Sequence, residues 1–251
     1  MTDQTRPVPV FDGVNLGKDL LRTIRAGALA TLDRDSGFPF ASLITVATDH
    51  DGSPLLLLSR LAAHTVNLEH DPRASILLSQ GGKGDPLAHP RLTVLGRAQR
   101  RAEPRIQARF LARHPKAELY AGFSDFSFWR LSVEGAHLNG GFARATSLTA
   151  RELLTDVADA QDLVAAEGEA LARLNRDPEV LALCAAVAAG APPGPWVATG
   201  LDPEGVDLAA GDRTARIRFP EPVRNHESVI RVLSDLARGA REAAPNRAPG
   251  T

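Results

Sequence analysis

The chain has a single cysteine, Cys184, so an intramolecular disulfide is impossible and a cysteine-rich metal site is excluded. It lies in the apolar segment from Leu181 to Ala189 and reads as a small buried hydrophobe rather than a reactive thiol. A charge surplus is missing too. Lys and Arg number 29 against 30 for Asp and Glu, a formal net charge of −1. That balance creates no field to draw in a polyanion and sets nucleic acid aside as a general partner. No run of about 18 apolar residues occurs, and Met1 to Val10 carries Pro and Asp where a secretory signal needs an apolar stretch. These absences predict a cytoplasmic protein without a membrane span.

What is present suits a soluble globular protein. The 251 residues are 43% hydrophobic and 24% charged, enough apolar content for a sizeable core and too little charge bias for disorder. At this length two units are expected. Residues 1–150 read as the first and residues 151–251 as the second.

In the first unit, Asn15 to Ala26 shows helical spacing of Leu16, Leu20, Leu21 and Ile24, with Gly27 placed to stop the helix. The runs Ala28 to Leu32, Phe38 to Thr48, Leu55 to Ser59 and Ala74 to Ser79 are β-compatible and separated by Asp, Gly and Ser clusters. Ala62 to Glu69 reads as a short helix. Gly81 to Pro90 is a polar loop whose Gly-Gly-Lys-Gly-Asp lacks the spacing of a true phosphate loop. Strand Arg91 to Arg101, a helix opening at Pro104 and a long strand from Phe126 to Leu138 follow. Six strands joined by short turns suggest a small closed antiparallel barrel.

After Gly140-Gly141-Phe142 the composition shifts to Ala, Leu and Glu. Two helical segments, Ala158 to Arg176 and Asp177 to Ala189, precede a Pro- and Gly-rich break. Three short strands near Trp196 to Thr199, Gly205 to Ala209 and Thr214 to Phe219 come next. An amphipathic helix from Asn225 or His226 to Gly239 follows, and the end from Ala243 to Thr251 looks frayed. The predicted class is α+β, with a barrel followed by a small α/β unit.

The segment LLLLSRLAAHTVNLEHDPRASILL, residues 55–78, carries the most chemistry. A strand ends at Ser59-Arg60, and His64, Thr65 and Asn67 lie near the start of the next helix. Hydroxyls, a guanidinium and free backbone N–H groups converging on a helix N-terminus are what holding a phosphate requires. On the residues alone a bland reading is equally open: Ser59 caps the helix, Arg60 lies in solvent and His64 is a surface histidine. Asp33, Asp35, Asp49 and Asp51 read as turn residues. Phe123, Phe126, Phe128 and Trp129 are read as core or dimer contacts, and also as candidates for packing on a planar cofactor.

SRLAAHTVNLEHDPRASILL, preceded by FPFASLITVATDHDGSPLLLL and followed by RLTVLGRA and NGGFARA, resembles the pyridoxamine 5'-phosphate oxidase-related FMN-binding split barrels, in particular their HugZ-type, heme-utilisation branch. GLDPEGVDLAAGDRTARIRFPEPV is similar to the small domain that follows the barrel in that branch. The resemblance implies a homodimer holding flavin mononucleotide (FMN) or heme at the cleft between subunits. It also implies that His64 and Ser59 lie at the flavin-phosphate site and that Ser42 faces the cofactor from the preceding strand. Arg60, Thr65 and Asn67 would be neighbours, and Arg144 would belong to a segment lining the cleft.

Departures matter as well. FPFASLITV replaces the basic strand of the full oxidases, and their C-terminal Arg-x-His segment is missing, which argues against vitamin B6 oxidation. HugZ-type members take an axial histidine from the extreme C-terminus, and here no histidine follows His226; His64, His89, His114 and His137 are the available substitutes. The first expectation is therefore an FMN-binding, oxidoreductase-like homodimer with no catalytic acid or base identified. A heme-binding or heme-degrading protein and a non-catalytic partner-binding module are the alternatives.

Overall fold

The computed structural model describes residues 11–142 and 144–243. The readings of Met1 to Val10 and of the tail beyond Ala243 lie outside them.

Helix α1 (Gly13–Thr23) is capped by Asp12, whose carboxylate accepts from the Asn15 N–H at 2.9 Å, satisfying one of the donors a helix start leaves open. Strands β1 (Ala26–Leu32), β2 (Pro39–Thr45), β3 (Ala47–Thr48) and β4 (Pro54–Ser59) follow, then α2 (Ala63–His70), β5 (Arg73–Ser79), β6 (Arg91–Arg101), α3 (Pro104–Arg113), α4 (Glu118–Ala121), β7 (Phe126–Asn139), β8 (Ala145–Thr149) and α5 (Ala150–Leu153). The strands form one antiparallel sheet in the order β2-β1-β5-β6-β7-β4-β3, with β8 paired to β7.

Three expectations are corrected here. Gly27 does not stop α1; it lies within β1, where a Cβ would come within 2.6 Å of the Leu77 carbonyl oxygen of the neighbouring strand, so the close approach is what needs glycine. The run Phe38 to Thr48 is not one strand, and the sheet has eight strands rather than six in a closed barrel. The chain breaks at Val46, whose N–H donates to the Arg25 carbonyl at 2.8 Å. β2 and β3 therefore end up at opposite ends of the strand order, and the curled sheet stays split between β2 and β4. Alternate residues of the strands fill its interior, with Leu29, Ile76, Leu78, Leu92, Val94, Leu131 and Leu138 meeting Leu20 and Leu21 of α1.

The C-terminal unit contains α6 (Gln161–Ala165), α7 (Glu167–Leu174), α8 (Pro178–Ala189), a three-stranded sheet of β9 (Val197–Asp202), β10 (Gly205–Ala210) and β11 (Arg213–Arg218), and α9 (His226–Ala243). Its own core gathers Trp196, Leu201, Val206, Leu208, Ile217, Val229 and Leu233. Cys184 is fully buried among them, as expected, with Sγ 3.4 Å from the Leu233 carbonyl.

Between barrel and C-terminal unit the contact is charged and buried. Arg109 of α3 donates to the Thr48 carbonyl at 2.9 Å, to the Leu201 carbonyl at 3.0 Å and to Glu167. Arg216 bridges Asp202 and Asp207 at 2.8 and 2.7 Å, and Arg22 lies 3.3 Å from Asp202. Burial pushes the Asp202 carboxyl up, but Arg216 and Arg22 outweigh it and hold the group below the ordinary carboxylate range. Asp49, read as a turn residue, belongs to this region. It is 3% exposed and bonded by Arg105 and Arg130, and His50 and Arg105 overcome its burial and keep it ionised.

Candidate functional site

A groove of about 310 Å³ opens at the split in the sheet. β2 supplies Leu43, Ile44 and Thr45, β4 supplies Leu57, Leu58 and Ser59, the start of α2 supplies Ala62 and His64, and Tyr120 of α4 and Phe126 of β7 close the far side. Tyr120 and Phe126 pack ring on ring at 5.0 Å. The walls are mostly apolar, and among the described residues lining the groove there is no Lys or Arg.

His64 is the polar centre. Its Nδ1 lies 2.9 Å from Ser42 Oγ, which fixes the ring and leaves Nε2 as the nitrogen available to a ligand. Its desolvation lowers the imidazole pKa from the ordinary value, so the neutral form, with a lone pair to offer, prevails at pH 7.

The other expected residues are disposed differently. Ser59 lines the groove, but its hydroxyl donates to Asp125 Oδ2 at 2.8 Å. Thr65 is fully buried and donates to the Ser59 carbonyl at 2.7 Å, closing the turn into α2. Asn67 is 2% exposed and points to the β1–β2 hairpin, accepting from the Arg34 N–H and donating to Thr31 Oγ1, both at 3.0 Å. These two side chains are occupied in building α2 onto the sheet and are not presented to a ligand in the groove. Arg60 is exposed beside the groove. Arg144 sits in the β7–β8 turn over the Phe11 ring at 5.7 Å, away from this groove within the one chain.

Of the aromatic candidates, Phe126 lines the groove, Phe128 and Trp129 are buried in cores and Phe123 is exposed. His114 is buried and hydrogen-bonded to the Val46 carbonyl at 2.8 Å; His89 and His137 lie elsewhere on the surface. Sequence reasoning missed Tyr120 and Asp125. The only signal for Tyr120 was that it is the chain's one tyrosine. Among the described residues no three His, Cys, Asp or Glu side chains gather to hold a metal ion, and no helix is long and apolar enough to cross a membrane.

Comparison with known proteins fits this architecture. The profile of the pyridoxamine 5'-phosphate oxidase family matches residues 17–140. A crystal structure of a protein of unknown function from Agrobacterium tumefaciens superposes with a TM-score of 0.81 at 38% identity, covering 92% of this chain and 97% of that one. The structure of a heme binding protein from Mycobacterium smegmatis gives a TM-score of 0.55 at 29% identity, covering 94% of this chain and all of the other (100%). Among curated proteins, a chloroplastic non-canonical heme oxygenase of Arabidopsis thaliana is 34% identical over 125 residues, 47% of this chain but only 37% of that relative's length. The split sheet, the second unit and these matches together place the chain in the pyridoxamine 5'-phosphate oxidase-like split-barrel family.

Proposed function

We propose that this chain is a heme-binding protein that works as a homodimer and holds heme in the groove with His64 as iron ligand. One observation carries the reading: a neutral imidazole, oriented through Nδ1 by Ser42, stands in an apolar-walled groove without a cationic side chain. Neutral histidine fixed by a hydrogen bond on its second nitrogen is how proteins present an axial ligand. Heme, when bound, supplies a redox-active iron whose behaviour is set by that ligand and by the polarity around it. Ser42 orients the imidazole, while Leu43, Leu57 and Phe126 keep water from the ring face. The heme-binding relative of nearly full coverage supports the same ligand.

Flavin mononucleotide, the ligand first expected, has weaker support. Its phosphate needs donors and positive charge, whereas Thr65 and Asn67 are engaged elsewhere and Ser59 already serves a carboxylate. The dimer is supported by the sheet's outer face. Leu43, which lines the groove, is 82% exposed, so a second copy on that face would finish the cleft.

Hemin titration of the purified protein tests the reading. A Soret band that survives gel filtration is expected, and His64→Ala should shift it and weaken binding by about tenfold or more, a loss of at least about 1.4 kcal/mol. Retention of flavin bands instead would favour the oxidoreductase, and uptake of neither cofactor would leave the partner-binding module.

A further inference from the structure

The N-terminus of α2 is the natural place in this groove for an anion. The helix has eight residues, its first turn has no side-chain cap, and it follows directly on the Ser59-Arg60-Leu61 corner. The chain, however, brings its own anion to that corner. Asp125, from the segment leading into β7, accepts the Ser59 hydroxyl on Oδ2 at 2.8 Å, and its carbonyl accepts the Arg60 N–H at 2.7 Å. Ser59 Oγ in turn accepts the Leu61 N–H at 3.2 Å. A serine hydroxyl has one proton to donate, and here the carboxylate takes it. Nothing in the groove lining compensates: Arg60 is exposed outside it, and the remaining polar groups, Thr45, His64 and Tyr120, carry no fixed positive charge.

We infer that Asp125 is a specificity-determining residue of the groove: by holding a carboxylate on Ser59 it turns away ligands that would place a phosphate at the start of α2 and reserves the site for a planar ligand uncharged at that end. The inference rests on the groove being the ligand site and deepens the heme reading by naming what excludes a flavin nucleotide. A porphyrin carries both carboxylates along one edge and has an apolar edge to offer; a phosphate at this corner would meet a fixed like charge, which is costly where water is partly excluded.

Asp125→Asn tests it, because the amide oxygen still accepts the Ser59 hydroxyl while the charge is gone; Asp125→Ser serves as a second variant should the first lower the melting temperature. Affinities for flavin mononucleotide, riboflavin and hemin would be measured by fluorescence quenching and absorption. The expected result is that the variant binds flavin mononucleotide about tenfold more tightly than the natural protein, with riboflavin, which lacks the phosphate, and hemin both unchanged. Equal gains for riboflavin and flavin mononucleotide, or no gain for either, overturn the inference. Loss of the heme reading would look different: hemin indifferent to His64→Ala, whatever Asp125→Asn does to the flavin pair.

Discussion

His114 is buried against Phe110 with its Nε2 donating to the Val46 carbonyl at 2.8 Å. Burial lowers its pKa from 6.5 to about 4, against the opposing pull of that hydrogen bond. Between these values the unfolded chain takes up a proton that the folded protein refuses. The contribution to stability is complete above pH 6.5 and is lost as pH falls to 4, by at most about 3.5 kcal/mol at roughly 1.4 kcal/mol per unit. In His114→Gln, whose amide keeps the donor to Val46, the urea midpoint should fall less between pH 6.5 and 4 than in the natural protein; parallel curves would contradict a neutral buried ring. Single residues were legible where their own chemistry decides their place. Cys184 reads as a buried hydrophobe from its apolar neighbours, and the sequence marks both Ser42 and His64, which the fold brings into contact. Asp125 was not legible, because it meets Ser59 across 66 positions of sequence, and no local pattern encodes such a pairing.

Helix α3 shows what periodicity does reveal. Arg105, Arg109 and Arg113 recur every four residues and therefore share one face, beside Ile106 and Phe110, which pack on Leu55, Leu57 and Phe128. A charged stripe of this kind is ordinarily read as solvated, yet Arg109 and Arg113 are 5% and 6% exposed, Arg109 against Glu167 and Leu201 of the C-terminal unit and Arg113 against the Arg22 and Thr23 carbonyls. Removing one member of a buried pair leaves the other unpaired, so Arg109→Met should cost about 3–5 kcal/mol in urea unfolding. Arg73→Met, which breaks an exposed pair with Asp71, should cost far less, because solvent screens that pair. Similar costs for the two would mean that the interface charges are solvated after all. Strands such as Arg91–Arg101 were read to their observed ends, since alternation and bounding turns fix them. The break at Val46 was invisible, since residues on both sides suit a strand and only the tertiary path of the sheet separates them.

The proposed homodimer would form through the sheet's outer face. Register aligns Leu43, Ala28, Leu77 and Thr93 in one row across β2, β1, β5 and β6, and Ala41, Ala30, Ser75 and Leu95 in the next. Neither row carries a charge, and Leu43, Leu77 and Leu95 are 82%, 39% and 47% exposed. Small side chains beside exposed leucines allow close approach of a second sheet, and apolar surface of this kind on a folded protein marks an interaction site. Because an isologous contact repeats the same patch on both copies, charges at Leu77 and Leu95 would face one another's surroundings twice over. The natural protein should therefore sediment at twice the chain mass and Leu77→Glu with Leu95→Glu at the chain mass. Since Leu43 borders both this face and the groove, the monomeric variant should also bind hemin more weakly while His64 and Ser42 stay in place. A natural protein that sediments as a monomer would remove the shared cleft; a double variant that stays dimeric would put the interface on another surface.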